Sequence, residues 1–235
     1  MRTFLTARWV NLALFQFPVP AEVLAPHLPA GLELDTADPS QGWISLVAFD
    51  FDSIRLLGVA IPFHTRFPEI NLRFYVRRGE QRGVVFVKEL VPRPAVAFVA
   101  RWVYNEPYYT APMRSRVTRQ GDRVQFSHRL RYGGRKHSIQ ATGANTLFTP
   151  GPDSLEHHFK EHSWGFGKAS DGQTLVYRVD HPIWRVYPVL GHQLDLDWGL
   201  LYGSEWSFLN GREPDSVVMA EGSAIAVYPC GRLDE

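Results

Sequence analysis

Residues 67–91 read FPEINLRFYVRRGEQRGVVFVKELV. Two apolar-rich runs, INLRFYVRR and GVVFVKELV, flank the turn-forming GEQR, which predicts a β-hairpin. Alternation in the first run puts Ile70, Leu72, Phe74 and Val76 on one face and Glu69, Asn71, Arg73 and Tyr75 on the other. Two readings of the second face stand side by side. It is the wet side of a sheet, for which such a mix is ordinary, or it is a pocket wall where an acid, an amide, a guanidinium and a phenol converge. In the second run the same period sets Lys88 beside Val84 and Phe86. That is an apolar setting of the kind that makes a lysine nucleophilic, or a strand end from which its head snorkels into water.

Strand periodicity continues on both sides of the hairpin. NLALFQF, LELD and WISLVAFDF precede it, interrupted by PAEVLAPHLP, a short helix between prolines. AVAFVARWVY is apolar all round and predicts a buried helix ending near Asn105. MRSRVTRQ, RVQFSHRLRY and RKHSIQATG form a meander turning at Gly121-Asp122 and Gly133-Gly134. PGPDSLEHHFKEH predicts a helix that Asp153 or Ser154 caps. The last third, to SVVMAEGSAIAVY, returns to short strands, with GFG at 165–167 as a turn. Proline and glycine are spread evenly, so residues 1–235 read as a single, mainly β domain. Its sheet is expected to be closed or strongly curved, which removes free edges.

Bulk composition bounds the function. The 235 residues are 45% hydrophobic and 13% aromatic, enough for a packed core, and the net charge of +1 gives no pull toward nucleic acid or acidic membranes. One cysteine, Cys230, excludes an internal disulfide framework. The N-terminal stretch is broken by Arg8, Asn11 and Gln16 and lacks a cleavage pattern, and no apolar run is long enough to span a bilayer. A cytoplasmic protein without a membrane partner is expected.

ARWVNL, LPAGLELD, FPEINLRFYVRRG, VYNEPYY, SLEHHFKEH and HPIW, in this order from residue 7 to 184, together resemble the YqjF-like family, domain of unknown function 2071. That family in turn resembles acetoacetate decarboxylase. The resemblance implies a cone-shaped, mostly antiparallel barrel with a deep pocket and two or three short helices. It implies that Glu69 takes the place of a pocket-facing strand glutamate. The decarboxylase carries a tyrosine, two spacers and a proline ahead of a lysine pair, one member of which forms an imine with the ketone. Tyr104, Asn105, Glu106 and Pro107 match the lead-in, and Tyr108 and Tyr109 stand where the lysines would be. A phenol forms no Schiff base and, with an ordinary pKa of roughly 10, stays protonated at neutral pH. Acetoacetate decarboxylase activity is therefore not expected. The decarboxylase's first-strand arginine falls on Val10; Arg8, two residues earlier on the same face, is a stand-in, as is Arg73.

These residues give the expected site: Glu69, Tyr108 and Tyr109 as acid–base groups, with Arg73, Arg8, Tyr104 and Asn71 binding a small carboxylate or ketone. Consecutive strand residues point opposite ways, so at most one tyrosine of the pair reaches the pocket. A non-catalytic metabolite-binding or partner-binding protein is the alternative. The decarboxylase relatives are oligomers, and SVVMAEGSAIAVY is an apolar edge that two chains can pair.

Other patterns weigh less. HFKEH at 158–162 is a literal H-x-x-E-H, but the helix is short and a third ligand is not evident, so no metal is expected. The segment 114–136 holds seven arginines and one lysine against Asp122, in the pattern of a solvated sheet face rather than a nucleic-acid site. Lys136, Lys160 and Lys168 lie in turn-like or exposed helical stretches. No phosphate-cradling loop, dinucleotide fingerprint or serine elbow appears, and no cofactor is expected.

Overall fold

In the computed structural model, which describes residues 2–233 apart from the side chains of residues 103 and 104, β1 (Leu5–Pro20) leads through α1 (Ala21–Leu24) and β2 (Glu33–Leu34) into β3 (Gln41–Leu56). The hairpin of β4 (Phe67–Arg78) and β5 (Gln81–Val91) follows, then α2 (Pro94–Tyr104) and β6 (Tyr108–Thr110). The meander comprises β7 (Met113–Gln120), β8 (Arg123–Tyr132) and β9 (Arg135–Ala144). Beyond α3 (Leu155–Lys160) come β10 (Trp164–Lys168), β11 (Thr174–Asp180), β12 (Val186–Tyr187) and β13 (Val189–Asp195). Helix α4 (Trp198–Tyr202) precedes β14 (Ser216–Val227) and β15 (Gly231–Arg232). The fold is mainly β, and no helix among the described residues is long and apolar enough to cross a membrane.

The strand order β14-β1-β3-β4-β5-β10-β11 returns to β14, because Val179 and Asp180 pair with Val227 and Ala226. Seven strands thus close into a ring. All neighbours are antiparallel except β5 and β10, whose parallel seam joins residues 83–85 to residues 164–166. Short pairings at the seam and at the β11–β14 junction make this a ring rather than a uniformly bonded barrel. Outside it lies a separate antiparallel sheet, β13-β9-β8-β7.

The two layers explain the alternation in β4. Ile70, Leu72, Phe74 and Val76 pack outward against Val124, Phe126, Leu130 and Ile139 of the second sheet in the main apolar cluster. The opposite face turns into the ring, where Glu69 is 1% exposed and Asn71 and Tyr75 are equally hidden. Both faces are buried, so the polar face is a wall and not a wet surface.

Three local expectations are corrected. Helix α2 forms as expected but is not buried: Phe98 and Trp102 are 64% and 82% exposed, because only its Ala97 side reaches the protein. GFG is not a turn but the middle of β10, where all three residues pair with β11 and Gly165 and Phe166 also pair with β5. SVVMAEGSAIAVY is not a free edge, since β14 pairs with β1, β11 and β12. Gly222 in that strand sits at φ +79°, and a Cβ there would strike the Trp9 carbonyl, so glycine lets β14 cross the bulge in β1.

Candidate functional site

Inside the ring lies a cavity of about 270 Å³. Its lining includes the exposed Ile61 and Val99 beside the start of β4, which mark the mouth, and the buried Lys160 and His162 at the end capped by α3. Most of the wall is aromatic or aliphatic, and polar groups gather at two places along β4.

The first gathering is acidic. Helix α2 ends at Asn105, which adopts the left-handed conformation (φ 51°), and Pro107 bars further helix. The chain returns against β5, with Glu89 N–H donating to the Pro107 carbonyl at 3.0 Å and Tyr108 registering beside Glu89. The Tyr108 hydroxyl donates to Glu69 Oε2 at 3.0 Å, and Asn71 Nδ2 donates to Glu69 Oε1 at 3.0 Å. Glu89 and Glu106 are buried beside them and line the same cavity. Burial lifts the Glu69 carboxyl to about 7 against the pull of hydrogen bonds from Asn71, Glu89 and Tyr108. Burial also carries Glu106 to about 8, opposed by a hydrogen bond with Tyr177. Glu89 is pushed well above the carboxylate range by burial and by the charges of Glu69 and Glu106. Tyr108 stays a neutral donor, its pKa raised by burial and the neighbouring carboxylates.

Residues 6–224 match the family of uncharacterized conserved proteins DUF2071. The chain belongs to that family. Uncharacterized protein YqjF of Bacillus subtilis (strain 168) is 29% identical to the DUF2071 chain over 156 residues, 65% of this chain and 63% of its own. The match therefore spans less than two thirds of that relative. Among solved structures, acetoacetate decarboxylase from Legionella pneumophila superposes with a TM-score of 0.62 at 14% identity, over 97% of this chain and 87% of its own. An acetoacetate decarboxylase-like enzyme from Sphingomonas wittichii RW1 gives 0.67 at 11%, over 100% and 95%. The enduracididine biosynthesis enzyme MppR, complexed with pyruvate, gives 0.65 at 14%, over 98% and 90%. At these identities the likeness establishes the fold, which is acetoacetate-decarboxylase-like.

The DUF2071 chain divides its expected site residues between the cavity and the exterior. Glu69, Asn71, Arg73 and Tyr108 line the cavity. Tyr109 does not: it is 44% exposed on the opposite side of β6, its ring 4.7 Å from Lys88 Nζ. Arg8 is exposed and lines a polar cleft with Asp52 and Arg66 outside the ring. A two-residue slip keeps the strand face, but Arg8 and Val10 share the outward face of β1 while Trp9 turns in. The Tyr104 side chain lies outside the described residues.

Lys88 also faces away from the cavity. A bulge lets Leu72 pair with Lys88 and Arg73 with Phe86, so Val87 is the extra residue and the alternation flips. Glu89, not Lys88, joins Val84 and Phe86 on the cavity side. Lys88 Nζ instead donates to the Tyr132 hydroxyl at 2.9 Å and the Leu201 carbonyl at 2.5 Å. Simple alternation hid both the wrong lysine and the missed glutamate.

The second gathering in the DUF2071 chain is basic and was not legible in the sequence. Ser154 Oγ caps α3 by accepting from His157 N–H, and the helix stops at Lys160, which drops inward. Lys160 is 1% exposed, not on a helix surface, and its Nζ bonds Glu161 Oε1. His158 and His162 of the H-x-x-E-H pattern part company: His158 meets Arg82 Nη2 at 2.7 Å, and His162 enters the cavity. Burial, followed by the charges of Arg73 and Arg82, holds His162 well below the usual imidazole range. Among the described residues no group of three or more His, Cys, Asp or Glu is disposed to hold a metal ion.

Proposed function

We propose that the cavity binds a small carbonyl-bearing organic molecule and moves a proton on the carbon next to its carbonyl, without an imine. The observation that carries this reading is the 3.0 Å contact between the Tyr108 hydroxyl and Glu69 inside a buried, largely apolar cavity. Glu69, at about 7, is partly ionised at neutral pH and suited to general base catalysis. It takes the α-proton, and the electron pair moves onto the carbonyl oxygen. The Tyr108 hydroxyl turns from Glu69 to donate to that oxygen, and a neutral Glu106 carboxyl is a second donor within the cavity, a combination that stabilises an enolate strongly in a dry site. Returning a proton to the same α-carbon completes the exchange, and protonating the oxygen instead releases the enol. Arg73, on the same wall, pairs with an anionic group of the ligand. MppR, which shares the fold, was solved with pyruvate, itself a small carbonyl compound.

The test is exchange of α-protons into D2O, followed by proton NMR, for a panel of ketones and oxo acids. The protein should accelerate exchange for some members, and Glu69→Gln should lower that rate by about 10²–10⁴. Ligand-induced thermal stabilisation without exchange for any member would establish instead a metabolite-binding protein that does no chemistry.

A further inference from the structure

The closed end of the cavity carries more positive charge than the protein neutralises there. Arg73 has no carboxylate partner among the described residues; Nη2 donates to the Phe159 carbonyl at 3.2 Å, and Nε is buried with no acceptor. Lys160 bonds Glu161 Oε1, whose other oxygen lies 3.8 Å from His181 Nδ1. The next cation outward, Arg82, is tied to Asp35 at 2.6 Å and to His158. Glu161 is thus taken up by Lys160 and His181, and Arg73 is left without a carboxylate. His162 adds two ring nitrogens without any partner, although the residue is only 8% exposed and lines the cavity. Buried polar groups left unpaired by the protein are uncommon, and a bound ion is one of the things that satisfies them.

We propose that Arg73, Lys160 and His162 form an anion site at the closed end of the cavity, which takes the carboxylate of an oxo acid whose carbonyl reaches Tyr108. This rests on the carbonyl reading of the Tyr108 end given above and adds the length of the ligand. Glu69 and Arg73 share one strand face four residues apart, about 13 Å along β4. The guanidinium is drawn away from Glu69, since it and the Tyr75 hydroxyl both donate to the Phe159 carbonyl, each at 3.2 Å. The His162 ring lies 4.9 Å from that of Tyr75, at the same end. A 2- or 3-oxo acid, with its groups on adjacent or nearly adjacent carbons, cannot touch both ends. A straight-chain oxo acid with its carbonyl about six bonds from the carboxylate can, since an extended chain advances about 1.2 Å per bond and a hydrogen bond of about 3 Å at either end makes up the rest. Apolar wall between the two ends suits the methylenes in between.

Calorimetric titration with octanoate and octanamide separates the anion site from the carbonyl chemistry, because neither compound has a ketone. The protein should bind octanoate at least tenfold more tightly than octanamide. Arg73→Gln should abolish that preference and Tyr108→Phe should keep it. Octanoate should also shift the His162 ring nitrogens in a ¹⁵N spectrum. Equal affinity for acid and amide, or an Arg73→Gln protein that keeps the preference, overturns the site. Should Arg73→Gln fail to fold, Arg73→Lys, which keeps charge but loses Nε, should weaken octanoate binding, and unchanged binding overturns the proposal. In the exchange assay, 7-oxooctanoate should turn over faster than 3-oxobutanoate, and equal rates remove the length assignment. Octanoate preference without exchange of any ketone sinks only the Tyr108 chemistry; exchange without octanoate preference sinks only the anion site.

Discussion

Tyr108 and Tyr109 adjoin in sequence but face opposite sides of β6, the first donating to Glu69 at 3.0 Å and the second lying over Lys88 at 4.7 Å. Period-2 geometry enforces this split, and the parallel pairing of β6 with β5 decides which ring goes inward. Phenylalanine substitutions should therefore part the pair. Tyr108→Phe should slow ketone α-exchange by about 10²–10³, the usual effect of losing one donor to a developing oxyanion. Tyr109→Phe should leave the rate within about twofold, since its hydroxyl is on the wrong side of the wall. Equal losses in both would refute the assignment.

Stability should fall with rising pH because of the buried carboxyls. Glu106 is raised from 4.5 to about 8 and Glu69 from 4.5 to about 7, so the unfolded chain releases these protons first. Their contribution is complete below about pH 4.5 and is lost as pH climbs to about 7–8. For one group it amounts to roughly 3 kcal/mol or somewhat more. Denaturant unfolding of Glu106→Gln and the parent should give similar stabilities near pH 4.5 and a gap favouring the glutamine variant at pH 8.5. A constant gap across that range would show that Glu106 does not titrate on folding.

Lys88 should be structural. Its ammonium is engaged by Tyr132, the Leu201 carbonyl and the Tyr109 ring. Borohydride reduction in the presence of oxo acids should leave Lys88 unmodified in a peptide map. Lys88→Ala should cost about 1.5–3 kcal/mol, as expected for hydrogen bonds from a charged donor.

The parallel seam of the ring is sensitive at Gly83. A Cβ there would meet the Trp164 carbonyl at 2.5 Å and the Phe166 ring at 2.6 Å, and the first of these is backbone that cannot swing aside. Gly83→Ala should destabilise the protein by about 1–3 kcal/mol through overpacking. Hydrogen exchange should show the added opening in residues 164–166 before it appears in the meander.

The hairpin at 67–91 carried the fold in its alternation, and the meander turns at Gly121 and Gly133 were legible because both glycines take positive φ. The matching Tyr-x-x-Pro lead-in located Tyr108. Alternation failed wherever a strand stopped being regular. The bulge at Val87 exchanged Lys88 for Glu89, and the outward face of β1 carried Arg8 away from the cavity. Lys160 and His162 come from a helix end whose direction depends on packing against Tyr75 and Trp43, contacts between residues far apart in the chain. Local periodicity holds no information on such contacts.

Because the ring binds its covering sheet through outward-pointing side chains, the main apolar cluster and the chemistry occupy opposite sides of the same strands. Replacing an inward residue such as Asn71 or Phe86 leaves the main apolar cluster between the layers largely untouched. The scaffold can therefore be re-lined for a different guest one alternate position at a time, with the intervening positions held fixed as mortar.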